Sequence, residues 1–173
     1  INQAAELEVP SIKFNWRGEP LLHPKLPDFI HYAKSKGILE TIINTNATML
    51  DEKKSKDLIA AGLDFMIFSF DGGTKETYEK MRPGRFRENK FENVYENIKR
   101  FNAIRKQQRS ALPYTKIQMI MTKETFNEKD SFFDLFYDYV DDVSVSQYTE
   151  RGGELTDIDG ATKEHYEQGI LEH

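Results

Sequence analysis

A chain of 173 residues, 38% of them hydrophobic and 31% charged, has the composition of one globular domain: long enough to bury a core, too short for two full domains. Its net charge of −5, with short basic runs interleaved with Glu and Asp, argues against broad electrostatic binding to nucleic acid. No stretch approaches the roughly 20 consecutive apolar residues of a membrane span, and no charged-then-apolar leader opens the chain, so a cytoplasmic protein with a small-molecule or peptide partner is expected. The absence of cysteine rules out disulfides, thiolate metal sites and cysteine nucleophiles within these residues.

Ile1 to Leu7, apolar at Ile1, Ala4, Ala5 and Leu7, reads as the end of a helix that something preceded. Short apolar or alternating runs then predict five strands: Ser11 to Asn15, Glu40 to Asn44, Phe65 to Phe70, Thr115 to Met121 and Val143 to Gln147. Helical stripes lie between them. Leu26, Phe29, Ile30 and Ala33 follow the i, i+3, i+4, i+7 rule and stop at Gly37; Asp51 caps a second helix that ends at Gly62. A shorter helix carries Tyr78, a long stripe runs Phe91, Val94, Tyr95, Ile98, Phe101, Ile104, and a last one runs Phe132, Phe133, Phe136, Tyr139, Val140. The aromatics of these stripes are expected to pack the core. The closing residues 171–173 resemble the start of a histidine tag, leaving one unit over residues 1–170.

Strand and helix in alternation imply a parallel sheet, either an open doubly wound sheet or a barrel, and in both cases ligands bind at the C-terminal strand ends. After the first strand comes Asn15-Trp16-Arg17-Gly18-Glu19-Pro20. Here Gly18 permits close backbone approach and Glu19 can accept from an ammonium group, or simply pair with a neighbouring cation. After the second comes Asn44-Thr45-Asn46-Ala47-Thr48: Asn44 is the ligand candidate, while Asn46 and Thr48 suit turns and caps. The third strand ends in Ser69-Phe70-Asp71-Gly72-Gly73. Alternation gives Ser69 and Asp71 one face, where hydroxyl and carboxylate can hold a ribose. The glycine pair lacks the spacing of a P-loop. Arg82, set off by Pro83-Gly84, can reach back to a carboxylate or stand solvated beside Arg85 and Arg87. Gln118, polar within the fourth strand, needs a partner, from a ligand or from a barrel-interior network. Gly152 and Gly153 follow the fifth strand, and His23, His31 and His165 show no mutual metal-ligand spacing.

In order, Arg17-Gly18-Glu19-Pro20, Thr45-Asn46-Ala47-Thr48-Met49-Leu50, and Ser69-Phe70-Asp71-Gly72 with Arg82 beyond resemble the motifs of the radical S-adenosylmethionine superfamily. The nearest likeness is to its SPASM branch, whose usual forms are Gly-Gly-Glu-Pro, Thr-Asn-Gly-Thr-x-Leu and Ser-x-Asp-Gly. The resemblance covers Ser11 to Gly153. It implies a partial (β/α)6 barrel, incomplete at its N-terminal side, that binds S-adenosylmethionine across its strand tops. Gly18 and Glu19 would meet the amino group and Ser69 and Arg82 the ribose or carboxylate, with Asn44, Asp71 and Gln118 as second choices. It also implies a four-iron four-sulfur cluster that reduces the sulfonium to give methionine and a 5′-deoxyadenosyl radical, and an electron donor such as flavodoxin or ferredoxin.

Three departures carry information. Arg17 replaces a Gly, and Ala47 replaces another, which is tolerable at negative φ. The Cys-x3-Cys-x2-Cys segment that follows the family's first strand is missing, as are the C-terminal cysteines of the SPASM branch. The expectation is therefore an inert piece of a longer enzyme that lacks its first βα unit. A cluster-free binding module, or a barrel enzyme using Arg82, Arg85 and Arg87 on a phosphorylated metabolite, are the alternatives.

Overall fold

The computed structural model describes residues 1–83 and 90–147. In chain order the elements are α1 (Asn2–Glu6), β1 (Ser11–Lys13), α2 (Leu26–Ser35), β2 (Glu40–Thr45), α3 (Glu52–Ala60), β3 (Phe65–Ser69), α4 (Lys75–Met81), α5 (Phe91–Gln107), β4 (Tyr114–Met121), α6 (Lys129–Phe136) and β5 (Asp142–Gln147). Two 3-10 turns, Pro20–Leu22 and Phe126–Glu128, precede α2 and α6. All five strands are parallel, in the order β1-β2-β3-β4-β5. A doubly wound sheet would reverse direction at a switch point; an unreversed order with right-handed crossovers keeps the helices on one face, the architecture of a barrel segment.

Burial alternates along the three inner strands, β2, β3 and β4, as that architecture requires. Thr41, Ile43 and Thr45 of β2, Met66 and Phe68 of β3, and Thr115, Ile117 and Met119 of β4 are buried against the helices, where Ile30, Leu58, Val94, Ile98, Phe101, Phe132 and Phe136 meet them. The expected stripes form these faces, with two corrections. Phe29 and Phe133 are 39% and 40% exposed, at the rims of α2 and α6, because each helix has only one turn-width in contact with the sheet. Phe29 instead lies 5.0 Å from the His23 ring.

Strand ends shift by one or two residues from the expected bounds for identifiable reasons. β1 stops at Lys13 rather than Asn15 because the Asn15 side chain replaces the ladder there, its Oδ1 accepting from the Asn44 N–H at 2.9 Å. α6 ends at Phe136, and Tyr139 and Val140 close a turn by donating back to the Phe136 carbonyl.

Parallel strands have no hairpin to fix their register, and here the bottom of the sheet fixes it with two copies of one device. Asp64, just before β3, accepts from the Thr41 N–H (2.8 Å), the Thr41 hydroxyl (2.9 Å) and Lys34 Nζ of α2 (2.9 Å). Asp141, just before β5, accepts from the Thr115 N–H and hydroxyl (both 2.7 Å) and from both terminal nitrogens of Arg105 in α5. Each joins two strands and the helix that precedes them.

Burial alone would push the Asp141 carboxyl up, but the Arg105 guanidinium and the Thr115 donors outweigh it and hold it below its ordinary value of 3.8. A lowered folded-state pKa stabilises fully above the unfolded value and is lost as pH falls through the folded one. Asp141→Asn leaves Arg105 without its carboxylate and should cost about 3 kcal/mol at pH 7. Urea unfolding across pH 7 to 2 should then show a shallower acid-side loss in the variant. Above Arg105, Phe70, Tyr78, Phe91, Tyr95 and Phe136 form one aromatic cluster, Tyr78 stacking on Phe70 at 4.1 Å. Burial pushes the Tyr78 phenol up to about 12 from 10.0. The folded state thus holds this proton more tightly than the unfolded one, and stability should fall as pH rises from 10 towards 12, a fall that Tyr78→Phe flattens in alkaline melts.

Candidate functional site

Four loops meet at the C-terminal edge of the sheet. In the first, Gly18 has φ +82, the left-handed region that glycine enters at no steric cost, and the volume a Cβ would fill is open, with nothing within 4 Å. Backbone is therefore bare beside Glu19. The Glu19 carboxylate caps the 3-10 turn by accepting from the Leu21 N–H (3.0 Å) and staples β1 to β2 by accepting from the Thr45 hydroxyl (2.6 Å) and the Asn46 N–H (2.8 Å). Its partners are neutral donors, so the cation pairing open from sequence is not the arrangement seen. Among the described residues Oε2 accepts from Asn46 alone, which leaves room for a further donor.

Thr45 is the hub that sequence reading passed over. Its hydroxyl donates to Glu19 and accepts from the Ala47 N–H at 3.0 Å. Ala47 then turns with φ +58, not the negative φ expected of it. The left-handed turn costs an alanine roughly 1–2 kcal/mol, and it holds because the turn is gripped on both sides: Thr45 takes its N–H and Asn97 donates to its carbonyl at 2.9 Å. Asn46 and Thr48 do form the local turn bonds expected of them.

On the second and third strands, the Ser69 hydroxyl donates to Asn44 Oδ1 at 2.6 Å. Both side chains lie on the face away from the helices, which leaves the Asn44 amide hydrogens and the Ser69 lone pairs for a ligand. Asp71, expected on the face of Ser69, is bonded within the fold. It is 7% exposed, one oxygen accepting from the Ile120 N–H of β4 (2.9 Å), the other from Arg82 Nε (2.9 Å) and Nη2 (2.7 Å). Arg82 thus reaches back to a carboxylate, the pairing that its position after a helix break allowed. The neighbouring glycines serve close packing: a Cβ on Gly72 would come 2.6 Å from the Tyr78 nitrogen, and one on Gly73 2.5 Å from the Glu128 carbonyl oxygen.

Gln118 pairs with Ser69 in the ladder, and its amide donates to the Ser146 hydroxyl at 2.6 Å, the interior network that was one of its two readings. Below it on the same face Lys116 and Asp142 form a 2.9 Å ion pair, and Phe65 stacks on Tyr114 with ring centroids 5.6 Å apart. The concave face therefore grades from aromatic at the bottom through charged to neutral polar at the top. Sequence reading missed the pair because Lys116 looks like any charge at a strand start; only the register shows Asp142 beside it.

Gly18, Glu19, Asn44, Ser69, Asp71 and Gln118 thus sit at or just below the same edge, Arg82 tied to them through Asp71. Arg85, Arg87, Gly152, Gly153 and His165 lie outside the described residues. Among the described residues no group of His, Cys, Asp or Glu is placed to hold a metal ion, and no helix is long and apolar enough to cross a membrane.

Residues 17–136 match the Radical SAM superfamily. The chain is 37% identical over 82 residues to the Fe-coproporphyrin III synthase of Methanosarcina barkeri, covering 47% of this chain and 20% of that protein. It is 34% identical over 100 residues to the GTP 3′,8-cyclase of Chlorobaculum tepidum, covering 57% and 28%, and 35% identical over 81 residues to the PqqA peptide cyclase of Gluconobacter oxydans, covering 47% and 22%. Among solved structures, SuiB of Streptococcus suis bound to S-adenosylmethionine superposes with a TM-score of 0.72 at 19% identity, covering 99% of this chain and 37% of that one. The chain therefore spans well under half the length of these relatives. That neighbour shares the fold described above, and the family match begins at Arg17 and runs through the strand tops that carry Glu19, Asn44 and Ser69: the chain belongs to the radical S-adenosylmethionine superfamily.

Proposed function

We propose that these residues form the S-adenosylmethionine-binding part of a radical S-adenosylmethionine enzyme of the SPASM-like branch, one that modifies a peptide or small-molecule substrate. The observation that carries this reading is the direct linkage of the strand tops: Glu19 to Thr45 and Asn46, and Asn44 to Ser69, by bonds of 2.6 to 2.8 Å. Together they present one bare backbone, one carboxylate, one amide and one hydroxyl along a single edge.

Each group then has a task its chemistry suits. Open space beside Gly18 lets an ammonium approach the backbone, and Glu19 offers Oε2 to it, already oriented by three internal donors so that little side-chain freedom is lost on binding. The Asn44 amide and Ser69 oxygen, locked to each other, suit a carboxylate or ribose hydroxyls. Arg82 and Asp71 neutralise one another at the rim, and Gln118 stands below on the concave face.

The residues present do not fit a four-iron four-sulfur cluster: the sequence has no cysteine, and thiolates are what such a cluster requires. In this proposal the cluster ligands belong to a part of the natural protein beyond residues 1–170, which form one unit, and the electron comes from a flavodoxin or ferredoxin in the cytoplasm. Peptide substrates find support in SuiB, solved bound to its precursor peptide, and in the PqqA peptide cyclase; the GTP 3′,8-cyclase keeps small molecules in view.

The test uses the natural full-length protein, reconstituted anaerobically. Its coding sequence should hold a Cys-x3-Cys-x2-Cys segment, and the loaded protein should convert S-adenosylmethionine to 5′-deoxyadenosine under reduction. Glu19→Gln, which removes the charge but keeps the shape, should weaken S-adenosylmethionine binding about tenfold by calorimetry, about 1.4 kcal/mol. Unchanged affinity in Glu19→Gln, or a loaded protein that leaves the sulfonium intact, would sink the reading.

A further inference from the structure

We infer that Glu128, which no family motif above includes, is a positioning residue for the half of the site built on β3 and β4; this rests on the S-adenosylmethionine reading. Glu128 closes the 3-10 turn Phe126–Glu128, yet its carboxylate bonds entirely to the opposite loop. Oε2 accepts from the Gly73 N–H at 2.7 Å, and Oε1 accepts from the hydroxyls of Thr74 (2.9 Å) and Thr77 (2.6 Å). It thereby holds the first turn of α4, whose own cap is Thr74. The two backbones are packed so closely at this point that no side chain at Gly73 would fit.

The bonds form a closed ring. From the top of β4, the Ile120 N–H donates to Asp71, Asp71 pairs with Arg82 at the end of α4, and α4 leads back to Thr77 and Thr74. Glu128 joins these to the 3-10 turn, and the Thr125 hydroxyl donates to the Ile120 carbonyl at 2.8 Å, which returns the ring to the residue it started from. Both polar groups of Ile120 are thus committed to the ring. Ser69, which with Asn44 is assigned to the carboxylate or ribose, sits at the entry of the segment so held, and Arg82 at its exit. Without Glu128 three donors lose this acceptor, and the start of α4 loses its bonds to the turn after β4, leaving the Phe70 and Asp71 bonds to β4 at one end and the long, exposed Lys80–Glu124 pair (3.4 Å) near the other.

Two variants separate positioning from bulk stability in the cluster-loaded full-length protein. Glu128→Ala removes every bond. Glu128→Gln keeps them all, since an amide oxygen can face Gly73 while the amide nitrogen donates to hydroxyls that accept as readily as they donate. We expect Glu128→Ala to weaken S-adenosylmethionine binding about tenfold by calorimetry and to speed amide exchange within residues 70–82, and Glu128→Gln to restore both to within about twofold. Glu128→Ala that melts earlier but binds S-adenosylmethionine within twofold of wild type would reduce Glu128 to a stability role and overturn the inference while leaving the site intact. Unaltered protein that fails to bind S-adenosylmethionine would overturn both the inference and the reading beneath it.

Discussion

A parallel sheet inherits no register from its turns, and in this chain four carboxylates supply it, one at each strand interface and alternately at the top and the bottom. Glu19 joins β1 to β2 at the top, Asp64 joins β2 to β3 at the bottom, Asp71 joins β3 to β4 at the top, and Asp141 joins β4 to β5 at the bottom. In every case a carboxylate takes a backbone N–H that the ladder leaves over at its end. Ionised acceptors make stronger bonds than neutral ones, so each staple fixes two strands along their length as well as side by side. A slip by one residue would also turn the buried Ile43, Phe68 and Ile117 onto the concave face, so staples and core select the same register.

The two bottom staples carry a cation from the preceding helix, Lys34 or Arg105, and form a closed, structural layer. The two top staples differ. Among the described residues Glu19 binds only neutral donors and retains capacity on one oxygen, whereas Asp71 is filled by Ile120 and Arg82. This asymmetry divides the candidate residues by what they can offer: Glu19, Asn44 and Ser69 face outward with donors or acceptors to spare, and Asp71 holds the frame they stand in. Placing ligand groups on rigid strand ends, with their rotamers already bonded, is how a site keeps its geometry without help from the ligand.

Membership of the radical S-adenosylmethionine superfamily fits this frame, since the family's motifs fall at three successive strand tops and those tops are bonded to one another. The departures are accommodated locally. Ala47 takes the left-handed conformation that glycine usually supplies, held by Thr45 and Asn97. Arg17, where the family usually has glycine, is exposed and leaves the left-handed Gly18 next to it undisturbed.

By itself the sequence determined the alternation of strands and helices, the apolar stripes, the cap at Asp51 and the three motifs with their order, because these depend on periodicity and on residues near one another in the chain. It did not determine which acceptor meets which donor. That Glu19 bonds Thr45, that Asp71 bonds to β4, that Lys116 meets Asp142, and that Glu128 reaches 51 to 55 residues back to Thr77, Thr74 and Gly73 were decided only when the strands were laid side by side. Such pairings join residues with no local preference for one another, and the strand order 1-2-3-4-5 that brings them together goes with the packing of the crossover helices against one face of the sheet, a property of the fold rather than of any one segment.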